Sequence, residues 1–193
     1  MNVNFKYNEP GANEPIIFEQ VFAEKPAGGM VKNPSFDILA GTAIGLDSNG
    51  AYCPIKAFRV VEAAESGATT IKIAKGSGVA VNDIIATGTT GVKCTAVDTT
   101  TSDNYDVVTV SLGVALTKGQ ELYQSSVESE EATQSEPAVL ATPIYTPLYL
   151  IGNKVFAGEG DQRVRFINGA NIRKETAPVA DEVVALMSGI HKV

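Results

Sequence analysis

The residues of this chain that could do chemistry are few and scattered. His191 is the single histidine. No G-x-S-x-G elbow accompanies it, so a Ser/His/Asp or Cys/His arrangement is not expected. Cys53 and Cys94 match no metal-ligand spacing. They can be read as a disulfide formed in an oxidising compartment or as two buried free thiols, and sequence does not fix whether they come within bonding distance. AKGSGVAV (74–81) resembles a phosphate loop superficially. It lacks Gly-Lys-Ser/Thr at the proper spacing, and a strand follows where a helix is needed, so Gly76 and Gly78 read as turn glycines. Dispersed carboxylates could pair for glycoside hydrolysis, but there is no tryptophan to stack on a sugar ring. Arg163 and Arg165 could clamp an anion, or form an exposed strand face that discourages edge-to-edge pairing. The sequon Asn33-Pro34-Ser35 is disabled by its proline. The expectation is a protein with no catalytic residues, no metal and no cofactor.

What would have to position such residues is a β scaffold. Among 193 residues only 19% are charged, and 18 are glycine. Thr and Val favour strands and Gly favours turns. The formal charge is -7. An acidic chain with no Lys/Arg cluster is unsuited to nucleic acid, because phosphate contacts need concentrated positive charge, and equally to anionic membrane surfaces. No window approaches the apolar run of a membrane helix. The opening MNVNFKYNEPGANEP does not read as a signal peptide, so synthesis and retention in the cytosol are expected.

Two stretches repeat one architecture. GVAVNDIIATG (78–88) and GVALTKGQELYQ (113–124) each read as apolar stretch, polar turn, apolar stretch. AGTAIGLDSNGAY (40–52) is a shorter version, with Asn49-Gly50 as a hairpin turn. Residues 62–126 then read as a small inserted β-domain of about five short strands, a barrel or sandwich. Residues 36–61 and 137–193 form a discontinuous β-rich base, with a further hairpin turn at Asn168-Gly169. Residues 127–136 read as an acidic linker. The base ends in the chain's one expected helix, capped by Thr176, with Pro178 in its first turn and Val179, Val183, Leu186, Met187 and Ile190 on one face. Residues 1–35 carry four prolines yet include Phe5, Tyr7, Ile17, Phe18 and Phe22. They read either as an extended arm docking on a neighbouring subunit or another protein, or as an arm packed on its own domain. The fold class expected is mainly β: short-stranded barrel or sandwich lobes, an extended N-terminal arm and one C-terminal helix.

GATTIKIAKGSGVAVNDIIATG and KCTAVDTTTSDNYDVVTVSLGVALTKGQELYQ resemble the middle region of phage head fibre proteins. There, a strand ending in an Ala-Lys-Gly turn precedes a valine-rich strand and an Asn-Asp turn. AGTAIGLDSNGAY is similar to the strand-turn-strand of capsid decoration proteins. The likeness covers roughly residues 38–124 and is structural in kind. It implies a non-enzymatic virion component on the capsid exterior, made in the bacterial cytoplasm, with the major capsid protein as partner. It also implies a homo-oligomer, a trimer being one form. A role in capsid stability or surface adhesion follows. The N-terminal arm lies outside the likeness, and its own apolar and aromatic content makes Phe5, Tyr7, Ile17, Phe18 and Phe22 the expected docking residues. The alternative is a carbohydrate- or host-surface-binding adhesin module, for which a glycan is the partner.

Overall fold

The computed structural model describes residues 15–193. In chain order the strands are β1 Phe18–Glu24, β2 Gly29–Val31, β3 Ala43–Leu46, β4 Tyr52–Pro54, β5 Ala57–Arg59, β6 Thr70–Ala74, β7 Ile84–Thr87, β8 Thr90–Lys93, β9 Ala96–Asp98, β10 Tyr105–Thr109, β11 Glu121–Ser125, β12 Tyr149–Ile151, β13 Gln162–Val164, β14 Phe166–Ile172 and β15 Ile190–Lys192, with the one-turn helix α1 Asp181–Val184 before β15. The fold is mainly β with one short C-terminal helix.

The largest sheet runs β1-β14-β12-β3-β4-β2-β13, with β15 on β14. It curls into a half-barrel. The reason is visible in its ends: β1 and β2 are consecutive, as are β13 and β14. Residues 18–31 therefore pair antiparallel with residues 162–172 across a corner, Phe18 opposite Ile172 at one end and Val31 opposite Gln162 at the other. Lys25 N donates to Phe166 O (2.8 Å) at the bend. One face buries Val31, Ile44, Ile151, Val164 and Phe166. There the Phe166 ring stacks on Tyr149 (5.3 Å) and meets Tyr52 edge-on (4.6 Å). The opposite face buries Ala43, Leu150, Ile167, Ala170 and Ile172 under Val179, Val183, Met187 and Ile190.

Between β4 and β12 the chain forms two small sheets, β5-β11-β7-β8 and β6-β10-β9. They enclose Phe58, Ile71, Ile73, Ile85, Val108 and Leu122. Residues 57–59 belong here, since Leu122 of β11 lies opposite Phe58. The junction with the base thus falls before residue 57 rather than at 61, because β5 is needed to complete the inserted core. The two long repeats meet in this unit. Their second halves are β7 and β11, which pair with Tyr123 opposite Ala86. Their turns are alike: Asn82 and Gly119 have φ of 75° and 86°. Asp83 Oδ2 accepts from Ala80 N (2.8 Å) as Gln120 Oε1 accepts from Thr117 N (3.0 Å). The short version shares the bend, Thr42 N donating to Leu39 O (3.2 Å) around Gly41. The first apolar stretches, 79–81 and 114–116, are not strands. Each is approached through left-handed glycines, Gly76 and Gly78 or Gly113, and only Leu116 bridges to another segment, at Ala64.

Four expectations are corrected. Asn168-Gly169 is not a turn but the middle of β14. Gly169 is required for close approach, since a Cβ there would lie 2.7 Å from the Ala23 Cβ and 2.8 Å from the Phe22 ring. The C-terminal helix is one turn. Its N-cap is Ala180, and Thr176 Oγ1 donates to Ile16 O instead. His191 and Lys192 lie in β15, parallel to β14. Gly189 passes so close to Asn168 O that a Cβ would sit 2.1 Å from it. Val179, Val183, Met187 and Ile190 are buried as the helical spacing required, whereas Leu186 is exposed. Residues 18–31 are not an extended arm but two strands of the base sheet. The acidic stretch is tied down: Lys93 N donates to Glu128 Oε1 (2.9 Å), and Glu130 bridges Val139.

The bend at Gly28-Gly29 yields a test. A Cβ on Gly29 would stand 1.9 Å from the Phe166 ring, while Gly50, with φ of 76°, has open space around it. Gly29→Ala is expected to destabilise by at least about 2 kcal/mol through overpacking, and Gly50→Ala by about 1 kcal/mol through backbone strain alone. Urea unfolding midpoints compare them; equal losses would contradict this packing.

Candidate functional site

Of the proposed docking residues, Phe5 and Tyr7 lie outside the described residues. Ile17 is a correction. It is 9% exposed and packs in the base core, and its carbonyl accepts from Arg173 N (2.9 Å). An apolar side chain so placed contributes to folding and is not available to a partner. Phe18 is half-buried against the same core. Phe22 is 54% exposed, and Ile16, not singled out in the sequence, is 57% exposed. Strand β1 is pinned to β14 by ion pairs Glu19–Arg173 and Glu24–Arg165. Arg165 is thus a strap for β1, while Arg163 is exposed on β13. On its outer side β1 has no partner strand among the described residues. The result is a fixed edge strand with two exposed apolar side chains at and before it.

A second polar region lies where the inserted sheets meet the base. Strands β7 and β11 are buried on both faces. Leu122 and Ile85 point into the inserted core, Tyr123 and Ala86 into the base core. The single Tyr123 O–H has two carbonyl acceptors within reach, Gly88 O (2.9 Å) and Ala141 O (3.2 Å), and burial pushes its phenol up to about 12. Beside it Arg59 Nε donates to Glu121 Oε1 (2.5 Å), and the same guanidinium donates to the carbonyls of Glu175 and Ala177. Glu182 accepts from Gly88 N. Lys192 Nζ donates to Val179 O and Asp181 Oδ1, both 2.6 Å. Of these, Glu121, Glu175, Asp181, Glu182 and Lys192, with Lys118 and Lys174, line a cleft of about 500 Å³. On another side Lys56 pairs with Asp83 (2.7 Å), and the Phe36 ring covers Gly78, where a Cβ would lie 2.4 Å from Cγ.

Around the cleft, Arg59 donates to main-chain carbonyls of the base and Glu182 of the base accepts from a main-chain N–H of the inserted unit. These contacts are arranged as clamps. Cys53 and Cys94 are free, and burial raises both thiols above their ordinary range; the disulfide reading is thereby set aside. Among the described residues no cluster of three or more His, Cys, Asp or Glu is placed to hold a metal ion. Glu121 was missed in the sequence although a signal was there. It alternates with Tyr123 about Leu122, so it shares the base-facing side of β11. No family model, curated protein or solved structure matches this chain.

Glu121 gives the site a pH signature. Its side chain is 4% exposed, and burial raises its carboxyl to about 7 against the opposing pull of Arg59. The folded chain therefore holds this proton more tightly than the unfolded one. The resulting stabilisation is complete below about pH 4.5, the ordinary glutamate value, and is lost as pH rises through about 7. The wild type should gain on the order of 1–3 kcal/mol from this group between pH 8 and pH 5. Glu121→Gln should flatten that slope, which thermal unfolding across this range would reveal. An unchanged slope in the variant would assign the pH dependence elsewhere.

Proposed function

We propose that this protein is a non-enzymatic structural component of a phage virion, a head fibre or decoration protein on the capsid exterior that works as a homo-oligomer. The observation that carries the reading is the pinned edge strand β1, with Ile16 and Phe22 turned outward immediately after the N-terminal segment that bears Phe5 and Tyr7. An attachment module needs a contact strip that does not move relative to its body. β1 supplies one, held by two ion pairs and by Ile17 in the core beneath. The sequence resemblance over residues 38–124 supports the same reading, as does a pair of β units clamped into one body. Many copies of a weak contact add up on a repeating lattice, so a modest apolar strip suffices there.

The test respects the fold. Removing residues 1–35 would take away β1 and β2, and with them the base sheet, so that truncation is expected to unfold the protein. A tagged full chain should instead be compared with a chain lacking residues 1–14 and with Phe22→Asp, each used to recover partners from a lysate of the source organism. Recovery of a major capsid protein by the full chain, cut severalfold in both variants while their melting temperatures stay within a few degrees, is the expected result. Recovery of glycan-bearing or host-surface material in its place would favour the adhesin reading.

A further inference from the structure

Strand β1 is seven residues long and borders the base sheet. An edge strand presents a row of backbone N–H and C=O groups able to pair with another chain. Such edges are blunted by proline, lysine or bulges. β1 has no Pro and no Lys, and its two carboxylates are engaged by Arg173 and Arg165 of the neighbouring segment. Its register does shift three times against β14. The exposed ring of Phe22 lies over Gly169 on this strip.

The sequence supplies a segment that matches. Residues 2–8 read Asn-Val-Asn-Phe-Lys-Tyr-Asn, a strict alternation that places Val3, Phe5 and Tyr7 on one side, the pattern of a half-buried strand. They number seven, as β1 does. A tight reversal within the same chain does not bring residues 2–8 to β1. A reversal at Pro10-Gly11 would set residues 2–8 against residues 13–19. Pro15, in that stretch, has no N–H to give. The carbonyls of Ile16 and Ile17 already accept from Thr176 Oγ1 and Arg173 N.

We propose that β1 of one copy receives residues 2–8 of a second copy as an added strand, so that copies are linked by exchange of their N-terminal segments. Backbone pairing along β1 supplies the affinity, and Val3, Phe5 and Tyr7 cover the face where Phe22 is exposed. This linkage deepens the homo-oligomeric part of the proposed function, and it assigns the β1 strip to a second copy, leaving the capsid to meet the linked copies.

Cysteine trapping in the full-length chain tests it. Val3→Cys, Phe5→Cys and Tyr7→Cys are prepared separately, and each is mixed with Phe22→Cys under mild oxidation. At least one mixture should give a covalent dimer on a non-reducing gel, in a yield well above either protein alone and above the unsubstituted chain, which reports on Cys53 and Cys94. Light scattering should show the full chain self-associating, and Phe5→Asp/Tyr7→Asp weakening that association by more than about tenfold. A monomeric full chain at all concentrations would overturn the proposal. So would trapping confined to an intramolecular bond in Phe5→Cys/Phe22→Cys, because the segment would then cover its own edge. Oligomers unaffected by Phe5→Asp/Tyr7→Asp would equally reject it by placing the contact elsewhere. A monomeric full chain that still recovers capsid protein overturns this linkage alone, and a self-associating full chain that recovers none overturns the virion reading alone.

Discussion

The base of this protein depends on the ring of Phe166 lying against the bare backbone of Gly29. The sheet can close on itself only if residues 18–31 and residues 162–172 turn the same corner together. At that corner the two segments approach so closely that Gly29 has no room for a side chain and Gly28, with φ of 61°, sits over Val164 O. Phe166 packs against Gly29 at this corner, with Tyr52 and Tyr149 against its ring. Aromatic pairs in offset or edge geometry add to the stabilisation that their buried area gives. Without the corner, strands of three and four residues would have nothing to pack on, and strands so short are marginal unless a core ties several together.

The second constraint is that the inserted sheets share a wall with the base. β11 and β7 alternate between two cores, so the inserted unit cannot pivot without withdrawing Tyr123 and Ala86 from the base core. Polar clamps ring this contact. The Arg59–Glu121 pair is the costliest, because a buried charge pair loses hydration that its mutual attraction need not restore. Arg59 offsets part of the loss by donating to two base carbonyls, those of Glu175 and Ala177. A pair of this kind adds less to stability than an apolar contact would. What it fixes is geometry, since a guanidinium spanning both units accepts only one relative placement.

What the sequence made legible was local. Asn49-Gly50 reads as a turn because the bend is its own doing. The Asp47 side chain accepts from Asn49 N and Ala51 N, and Gly50 takes the left-handed conformation in open space. Asn168-Gly169 presents the same dipeptide for a different reason: Gly169 makes room for Phe22 and Ala23, nearly 150 residues away, and no local pattern carries that information. The last segment fails alike. The spacing of Val179, Val183, Met187 and Ile190 correctly marks a buried face, but it also suits a single helical turn followed by a strand. Parallel pairing with β14 decides between them. Ile17 looked like its neighbours Ile16 and Phe18, and only its contacts with the distant segments around Gly41 and Pro178 make it a core residue.

The edge at β1 is where these constraints bear on the proposed function. The buried apolar side chains are spent on three clusters, one on each face of the base sheet and one inside the inserted sheets. β1 is held rigidly on its inner side by pairing, by Ile17 and by two ion pairs, while its outer side faces away from the body. A strand ordered in advance by its own fold loses little further entropy when a partner pairs with it. A contact made there transmits its orientation to the whole two-part body through β14, which also carries β12 and β15. A fixed orientation, repeated copy after copy, is the property an assembling protein requires.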